Sequence, residues 1–202
     1  MSRNRGPRVK IVRKYQEALP GLTTKSGERR PYPPGQHGPG RRPKISDYAV
    51  RLIEKQKLRH NYGLSEKQLR RYYSAMVKTK GDTGALLLQL LESRLDNVVF
   101  RAGFAQTIPS ARQLINHGHI KVNGQRVDRS NFFVRTNDKV TLTDKAQKNE
   151  RIQQSLASRA LELPSYLGVD GVVASMQGEP TRDDVPLDVQ EQLIIEHYSR
   201  VA

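Results

Sequence analysis

The sequence has 202 residues, with 35 Lys and Arg against 20 Asp and Glu and a formal net charge of +15 at pH 7. This length allows one or two domains, and the charge indicates a polyanionic partner; nucleic acid is favoured over a membrane because no basic amphipathic helix with a bulky apolar face stands out. The lack of cysteine excludes disulfides, thiol nucleophiles and Cys-ligated zinc, and no apolar run reaches transmembrane length.

Most of the positive charge lies near the N-terminus, where residues 1–60 hold 16 basic and 4 acidic side chains. Residues 1–7 lack the apolar core of a secretory signal, so we expect the protein to stay in the compartment that makes it. Residues 25–44 are rich in proline and glycine and have no periodic apolar face. This composition predicts either a disordered solubilising tail or an arm that folds along the phosphates of a nucleic acid. In such an arm, Tyr32 and His37 could stack on unpaired bases.

A helix is predicted after Ser46, which is a suitable N-cap. The apolar positions with helical spacing are Ala49, Leu52 and Ile53. Cations recur every fourth residue on another face, at Arg51, Lys55 and Arg59. The helix is therefore expected to pack with one side and to present cations with the other.

Residues 65–68 (SEKQ) predict a capping box for the next helix, whose tyrosines are interpreted as core in preference to a base-stacking platform. Residues 81–84 form a predicted turn. Residues 85–91 are apolar on nearly all faces and predict a short buried helix. Although glycines lie near Lys80, no GKS or GKT follows, which disfavours a phosphate-binding loop.

Residues 92–142 predict two helices followed by short strands. The first helix ends at Gly103; the second is capped by Thr107, with Ala111, Leu114 and Ile115 facing inward. A hairpin with an Asn-Gly turn follows at 119–127, and further strands are predicted at 132–134 and 139–142. Helical geometry then directs Arg112, Gln113 and Asn116 outward. The start of the hairpin is expected to place His117, His119 and Lys121 close to them.

The net charge becomes negative in the C-terminal part, since residues 151–202 hold 4 basic and 8 acidic side chains. A helix is predicted at 148–163, with Ile152, Leu156 and Ala160 on one side. Residues 188–191 (DVQE) are a predicted capping box for a last helix. The acidic balance favours protein contact over RNA contact for this segment.

The central pattern resembles the small RNA-binding domain named after protein four of the small ribosomal subunit. The matching text is SRLDNVVFRAGF, ARQLINHGHIKVNG and NDKVTL. The resemblance extends to PGQHG (34–38), KISDY (44–48), EKQKLR (54–59) and QLIIEHYSR (192–200), so that it covers most of the chain in order. The chain therefore resembles the S4 family of bacterial-type and plastid-type small-subunit ribosomal proteins.

The predicted fold class is α+β, with a helical domain, a small inserted S4-type RNA-binding domain of two helices and a short antiparallel sheet, and an extended basic arm. The predicted bounds are 1–44 for the arm, 45–91 completed by 176–202 for the helical domain, and 92–175 (core 92–143, then a helix) for the S4-type domain. The candidate RNA contacts are Arg3, Arg5, Lys10, Arg13, Lys14, Arg29, Arg30, Gln36, His37, Arg41, Arg42, Lys44, Arg51, Lys55, Lys57, Arg59, Arg70, Arg94, Arg112, Gln113, Asn116, His117, His119 and Lys121.

The resemblance implies a primary binder of small-subunit ribosomal RNA that helps nucleate assembly of the subunit body. It also implies contact with small-subunit protein five, a position near the path by which messenger RNA enters, and a share in decoding accuracy. Some relatives bind zinc through arm cysteines; since this chain has none, we expect no metal and no cofactor. A membrane or small-molecule partner is not expected. The expected location is the ribosomes of a bacterial cytoplasm or, alternatively, of the stroma of a plastid that encodes its own copy.

Three alternative functions are less well supported. Arg94-Leu95-Asp96 matches a motif of RNA pseudouridine synthases that carry the same small domain, but there the catalytic Asp lies in a separate domain, whereas here Asp96 stands near a helix start. His117 and His119 without further ligands are a weak metal set. DNA binding fits the charge, yet helices before a hairpin do not resemble the standard groove readers. We therefore predict a protein that is not an enzyme.

Overall fold

The computed structural model describes residues 6–40, 44–158 and 161–201. The helices are α1 (Arg8–Tyr15), α2 (Asp47–Asn61), α3 (Glu66–Met76), α4 (Thr83–Glu92), α5 (Leu95–Arg101), α6 (Ile108–Asn116), α7 (Asp144–Gln147), α8 (Glu150–Ala157) and α9 (Glu191–Val201). The strands are β1 (Ile120–Val122), β2 (Gln125–Arg126), β3 (Lys139–Leu142), β4 (Leu167–Asp170) and β5 (Val173–Met176). These elements confirm the α+β class.

The chain divides into two compact units. The helical unit comprises residues 1–87 and 187–202, and the sheet unit comprises residues 88–186. The sheet unit thus reaches beyond residue 175, where the sequence placed the end of the S4-type domain, because β5 pairs with β3 and the following loop stays with that sheet.

In the helical unit, two predicted helix caps are confirmed. The Ser46 hydroxyl accepts a hydrogen bond from the Ala49 amide at 3.4 Å, and Ser65 and Gln68 form a reciprocal capping box. The core contains Leu58, Tyr62, Leu69 and Ile194. Each cap satisfies amides that the first turn of a helix leaves without partners.

The buried face of α2 differs from the prediction. Leu52 and Ile53 are only partly buried, while Glu54, Lys55 and Lys57 are buried. The reason is electrostatic: Lys55 Nζ lies 2.9 Å from a carboxylate oxygen of Glu66, and Lys57 Nζ lies 2.6 Å from Glu54. A buried charge is tolerated when it is paired, and an apolar periodicity does not detect such a face.

The sheet unit contains one antiparallel sheet in the order β2-β1-β3-β5-β4. The predicted hairpin is confirmed: Asn123 (φ 50) and Gly124 (φ 81) both have the positive φ that a two-residue turn of this kind needs. The β4–β5 hairpin was not predicted. Helices α5 and α6 supply much of the apolar core of this unit.

The predicted strand at 132–134 is wrong. It forms only an isolated bridge between Phe133 and Arg94. The backbone of residues 132–134 instead forms hydrogen bonds with the start of α5 and the residues before it. The Leu95 amide donates to the Phe132 carbonyl at 2.8 Å, and the Val134 amide donates to the Ser93 carbonyl at 2.8 Å.

Two C-terminal helix predictions also need correction. The helix predicted at 148–163 is the shorter α8, which ends before Ser158, whose ψ of 48° is not helical; Ala160 lies outside the described residues. The capping box predicted at 188–191 does not start α9, which begins only at Glu191. Instead, the Gln190 amide donates to the Glu54 carboxylate at 3.1 Å. Within the described ranges, no helix has both the length and the apolar character needed to cross a bilayer.

Candidate RNA-binding surface

Helix α6 presents a polar face because its apolar residues fix its orientation. Thr107 caps the helix by accepting a hydrogen bond from the Ser110 amide at 3.3 Å. Ala111 and Ile115 are buried, so Gln113 and Asn116 point into solvent, where both are exposed. Leu114, which was expected to face inward, is only partly buried.

Arg112 is held on this face by a buried carboxylate. Its Nε lies 2.7 Å from Asp96 Oδ2, and Asp96 also accepts from Arg94 at 2.8 Å. The Asp96 and Arg94 side chains are each 1% exposed, whereas that of Arg112 is 22% exposed. Arg94 was therefore wrongly included among the RNA contacts, since its guanidinium is buried against Asp96.

The same geometry removes the enzymatic alternative at Asp96. A catalytic carboxylate must reach its substrate, but this one is buried and accepts hydrogen bonds from two guanidinium groups. Asp96 is a structural ion-pair partner. Within the described ranges, no three His, Asp or Glu side chains come together as a metal-ligand set.

Beyond α6, basic side chains gather at the start of the hairpin. The rings of His117 and His119 lie 6.1 Å apart, and Lys121 and Arg126 are direct cross-strand partners, which places them on one face of the sheet. Burial, followed by the nearby charges of His117, Lys145 and Arg126, lowers the pKa of His119. Arg126 and Lys145 are the basic residues that the sequence did not single out.

Many of the other candidate contacts are in the helical unit and are exposed. The exposed ones among the described residues are Lys10, Lys14, Arg29, Arg30, Gln36, His37, Lys44 and Arg70. Arg3, Arg5, Arg41 and Arg42 lie outside the described residues.

The remaining candidates are engaged within the protein. Lys55 and Lys57 are buried ion-pair partners of carboxylates, which corrects their inclusion as RNA contacts. Arg51 Nε lies 2.6 Å from Glu196, and Arg59 donates to Gln56 at 2.7 Å. These contacts reduce the number of cations that α2 can present to a ligand.

The basic arm folds back on itself in the described part. Arg13 Nε donates to the carbonyls of Arg30 and Tyr32 at 3.0 and 3.2 Å, and its guanidinium lies 5.0 Å from the centroid of the Tyr32 ring. Gln16 donates to the Pro31 carbonyl at 2.9 Å. Helix α1 thus orders the proline-rich segment, and Arg13 acts as a structural residue here.

A histidine joins α1 to α2. His60 Nδ1 lies 2.9 Å from the Tyr15 hydroxyl, and Arg59 lies 3.1 Å from Nε2. A guanidinium only donates, so Nε2 accepts and Nδ1 carries the proton that is donated to Tyr15. Burial, then the charge of Arg59, lowers the pKa of His60 to about 4, and burial raises the pKa of Tyr15 to about 12.

We expect acidification to loosen this contact. The His60 pKa is about 4 in the folded protein against an ordinary value of 6.5, so the unfolded chain binds the proton more readily. The stabilisation is present above the ordinary pKa and is lost as the pH falls toward the folded one. Between about pH 7 and about pH 5, a range that spans the ordinary imidazole pKa, the thermal melting temperature should fall less for His60→Gln than for the wild type. Equal falls would show that His60 does not contribute.

Two helices followed by a hairpin, with an outward polar face on the second helix, define an RNA-binding protein of the S4-domain class. Residues 3–92 match the family described as "Ribosomal protein S4/S9 N-terminal domain", and residues 93–140 match the "S4 domain". The chain is 52% identical over 205 aligned residues to "Small ribosomal subunit protein uS4" of Trichormus variabilis, with all of both chains covered. It is 51% identical to that of Nostoc punctiforme over the same extent and 49% identical to that of Trichodesmium erythraeum, again over 100% of each chain.

The chain belongs to the uS4 family of small ribosomal subunit proteins. Members of this family are structural constituents of the ribosome and not enzymes, which confirms that part of the sequence prediction.

Proposed function

We propose that this chain is a primary binder of small-subunit ribosomal RNA, nucleates assembly of the subunit body and contributes to translational accuracy. The observation that carries the proposal is the polar face of α6 together with the hairpin, where Gln113, Asn116 and His117 are exposed beside Lys121. Cations and amides on one rigid surface suit the shape-directed and single-strand contacts of RNA recognition. Membership of a ribosomal family supports the same proposal.

The proposed contact set is smaller than the set of candidates. Arg94, Lys55 and Lys57 are left out because their side chains are buried ion-pair partners. Arg13, Arg51 and Arg59 are left out because their guanidinium groups are engaged with other groups of the protein. The proposed contacts in the described residues are Lys10, Lys14, Arg29, Arg30, Gln36, His37, Lys44, Arg70, Arg112, Gln113, Asn116, His117, His119 and Lys121. Arg3, Arg5, Arg41 and Arg42 remain proposed contacts on their charge alone.

The proposed neighbours follow from charge and family. The acidic C-terminal segment is a poor RNA ligand, so we assign it to protein contact with a basic neighbour. Membership of the family supports contact of the chain with small-subunit protein five and a position near the path by which messenger RNA enters. The cyanobacterial relatives support ribosomes of a bacterial cytoplasm as the location; the stroma of a plastid is the alternative. Crosslinks from residues 180–200 to RNA alone would contradict the protein-contact assignment.

Salt dependence tests the proposed RNA contact. If the protein engages on the order of ten phosphates, log Ka for a small-subunit ribosomal RNA fragment should fall with log salt at roughly 0.7–0.9 per contact. The double variant Arg29→Ala, Arg30→Ala should reduce this slope by roughly two contacts' worth. Filter binding at several salt concentrations measures the slope.

The matched control removes the same charge from exposed positions outside the proposed surface. Arg151→Ala with Arg200→Ala, both on exposed side chains, should leave the slope close to that of the wild type. A wild-type slope near zero, or an equal loss in both double variants, would contradict the proposed contacts.

A further inference from the structure

A glycine brings Arg126 onto the end of α6. Gly118 has a φ of +70°, and a Cβ at this position would overlap the guanidinium of Arg126. With no side chain there, Arg126 lies across the turn and donates to the His117 carbonyl at 3.4 Å. Arg126 is itself exposed, so that a ligand can reach it.

Backbone pairing brings a fourth basic residue to the same place. The Thr143 amide donates to the His119 carbonyl at 3.0 Å, so that α7, which begins at Asp144, starts beside β1. Lys145 lies two residues after Thr143 on α7, and its charge is among those that lower the pKa of His119. Three parts of the chain therefore contribute basic residues to this place: the connection between α6 and β1 (His117 and His119), β2 (Arg126) and α7 (Lys145). We call these four residues the histidine cluster.

Convergence of basic side chains disfavours their charged forms in the free protein, and the charged forms become favourable when an anion lies among them. The basic residues that act on the pKa of His119 are His117 at the end of α6, Lys145 on α7 and Arg126 on β2. The acidic residues of the neighbouring segments, Asp128 after β2 and Asp144 on α7, are exposed. Guanidinium and imidazolium groups both donate to phosphate oxygens in charge-assisted hydrogen bonds.

We propose that the histidine cluster is a binding site for an RNA backbone phosphate, and that His119 takes up a proton when this phosphate binds. The inference rests on the proposed function, because that function supplies the anion. It goes further in adding Arg126 and Lys145 to the contact surface and in making the contact dependent on pH.

The sign of the pH dependence follows from the two states of His119. In the free protein, burial and neighbouring cations favour the neutral imidazole. A bound phosphate favours the charged imidazole, so the pKa rises on binding and the complex holds more protons than its separate parts. Affinity should therefore increase as the pH falls, by up to about tenfold for each unit by which the pKa rises.

The experiment uses the full-length protein and a small-subunit ribosomal RNA fragment at constant ionic strength. The dissociation constant is measured between about pH 8 and about pH 6, which brackets the ordinary pKa of histidine. Calorimetry in two buffers with different ionisation enthalpies gives the number of protons taken up. The wild type should bind several-fold more tightly at the lower pH and take up protons; His119→Gln should lose most of this dependence while still binding at the higher pH.

Arg126→Gln tests the other half of the site. It should weaken binding by about tenfold, the loss expected for one charge-assisted contact. The control is Arg135→Gln, because Arg135 is exposed and precedes β3, at the opposite end of the β1–β3 pair from His119. The control should have a much smaller effect.

A measurement on the wild type avoids dependence on folding of the variants. Titration of the His119 ring by NMR should give a higher pKa in the RNA complex than in the free protein. An unchanged pKa, equal pH dependence in His119→Gln and wild type, or equal losses for Arg126→Gln and Arg135→Gln would overturn the site while leaving the proposed RNA binding intact. Failure of the wild type to bind the RNA at any pH would overturn both.

Discussion

Asp96→Ala should lower the free energy of unfolding of the sheet unit by about 3–5 kcal/mol, the usual cost of removing one partner from a buried ion pair. The Asp96 carboxylate lies 2.8 Å from Arg94 and 2.7 Å from Arg112. Without it, the guanidinium of Arg94 stays in a site that is 1% exposed and loses its ion-pair partner. Urea denaturation followed by circular dichroism measures the loss.

Two controls separate charge from packing. Arg112→Ala removes the partly exposed partner and should cost less than about 1 kcal/mol, because solvent already screens that pair, while it weakens RNA binding. The double variant Arg94→Met, Asp96→Leu removes both buried charges and should recover much of the stability. If Arg112→Ala destabilised the unit as strongly as Asp96→Ala, the buried charge of Arg94 would not be the cause.

The features that the sequence predicted well depend on neighbouring residues in the chain. The N-caps at Ser46, Ser65 and Thr107 use side-chain oxygens that bond amides two or three positions away. The Asn123-Gly124 turn needs positive φ at both residues, which these two residue types tolerate. Such contacts form within one turn, so local spacing is enough to predict them.

The features that the sequence missed depend on distant partners. Lys57 was expected to be exposed, but it is buried because Glu17, 40 residues earlier in the chain, contributes a carboxylate 2.6 Å away. The β4–β5 hairpin was missed because its strands are short and because Gly168 and Ser175 interrupt the apolar pattern. Only the folded chain brings these groups together.

The residues of the candidate site also fall into those that local sequence predicts and those that it does not. Arg126 was predictable, since an Asn-Gly hairpin places it opposite Lys121, and cross-strand partners share a face. Lys145 was not, because its position depends on the hydrogen bond between Thr143 and His119. Arg94 was wrongly chosen because a basic residue two positions before an acidic one in the sequence gives no sign of whether the pair is buried.

Glu92→Ala should have the second large effect, about 3–5 kcal/mol, through a different buried charge. Glu92 is 1% exposed; it accepts hydrogen bonds from the Tyr166 hydroxyl at 2.7 Å and from Asn97 at 2.8 Å. Arg101 Nε lies 3.7 Å away with Arg101 itself 4% exposed. Burial and the Glu92 charge raise the pKa of Tyr166, so its hydroxyl stays protonated and donates to the carboxylate. The network links the residue before β4 to α5.

Graded variants identify which part of this network matters most. Tyr166→Phe removes one hydrogen bond and should cost about 1 kcal/mol. Glu92→Gln keeps an acceptor for Tyr166 but removes the negative charge beside Arg101, so its cost should lie between those of Tyr166→Phe and Glu92→Ala. Hydrogen exchange of the β4 and β5 amides should increase in the same order, because these strands follow Tyr166 directly. If Glu92→Ala cost no more than Tyr166→Phe, the charge of Arg101 would be compensated without Glu92, and the network would serve only to hold the tyrosine.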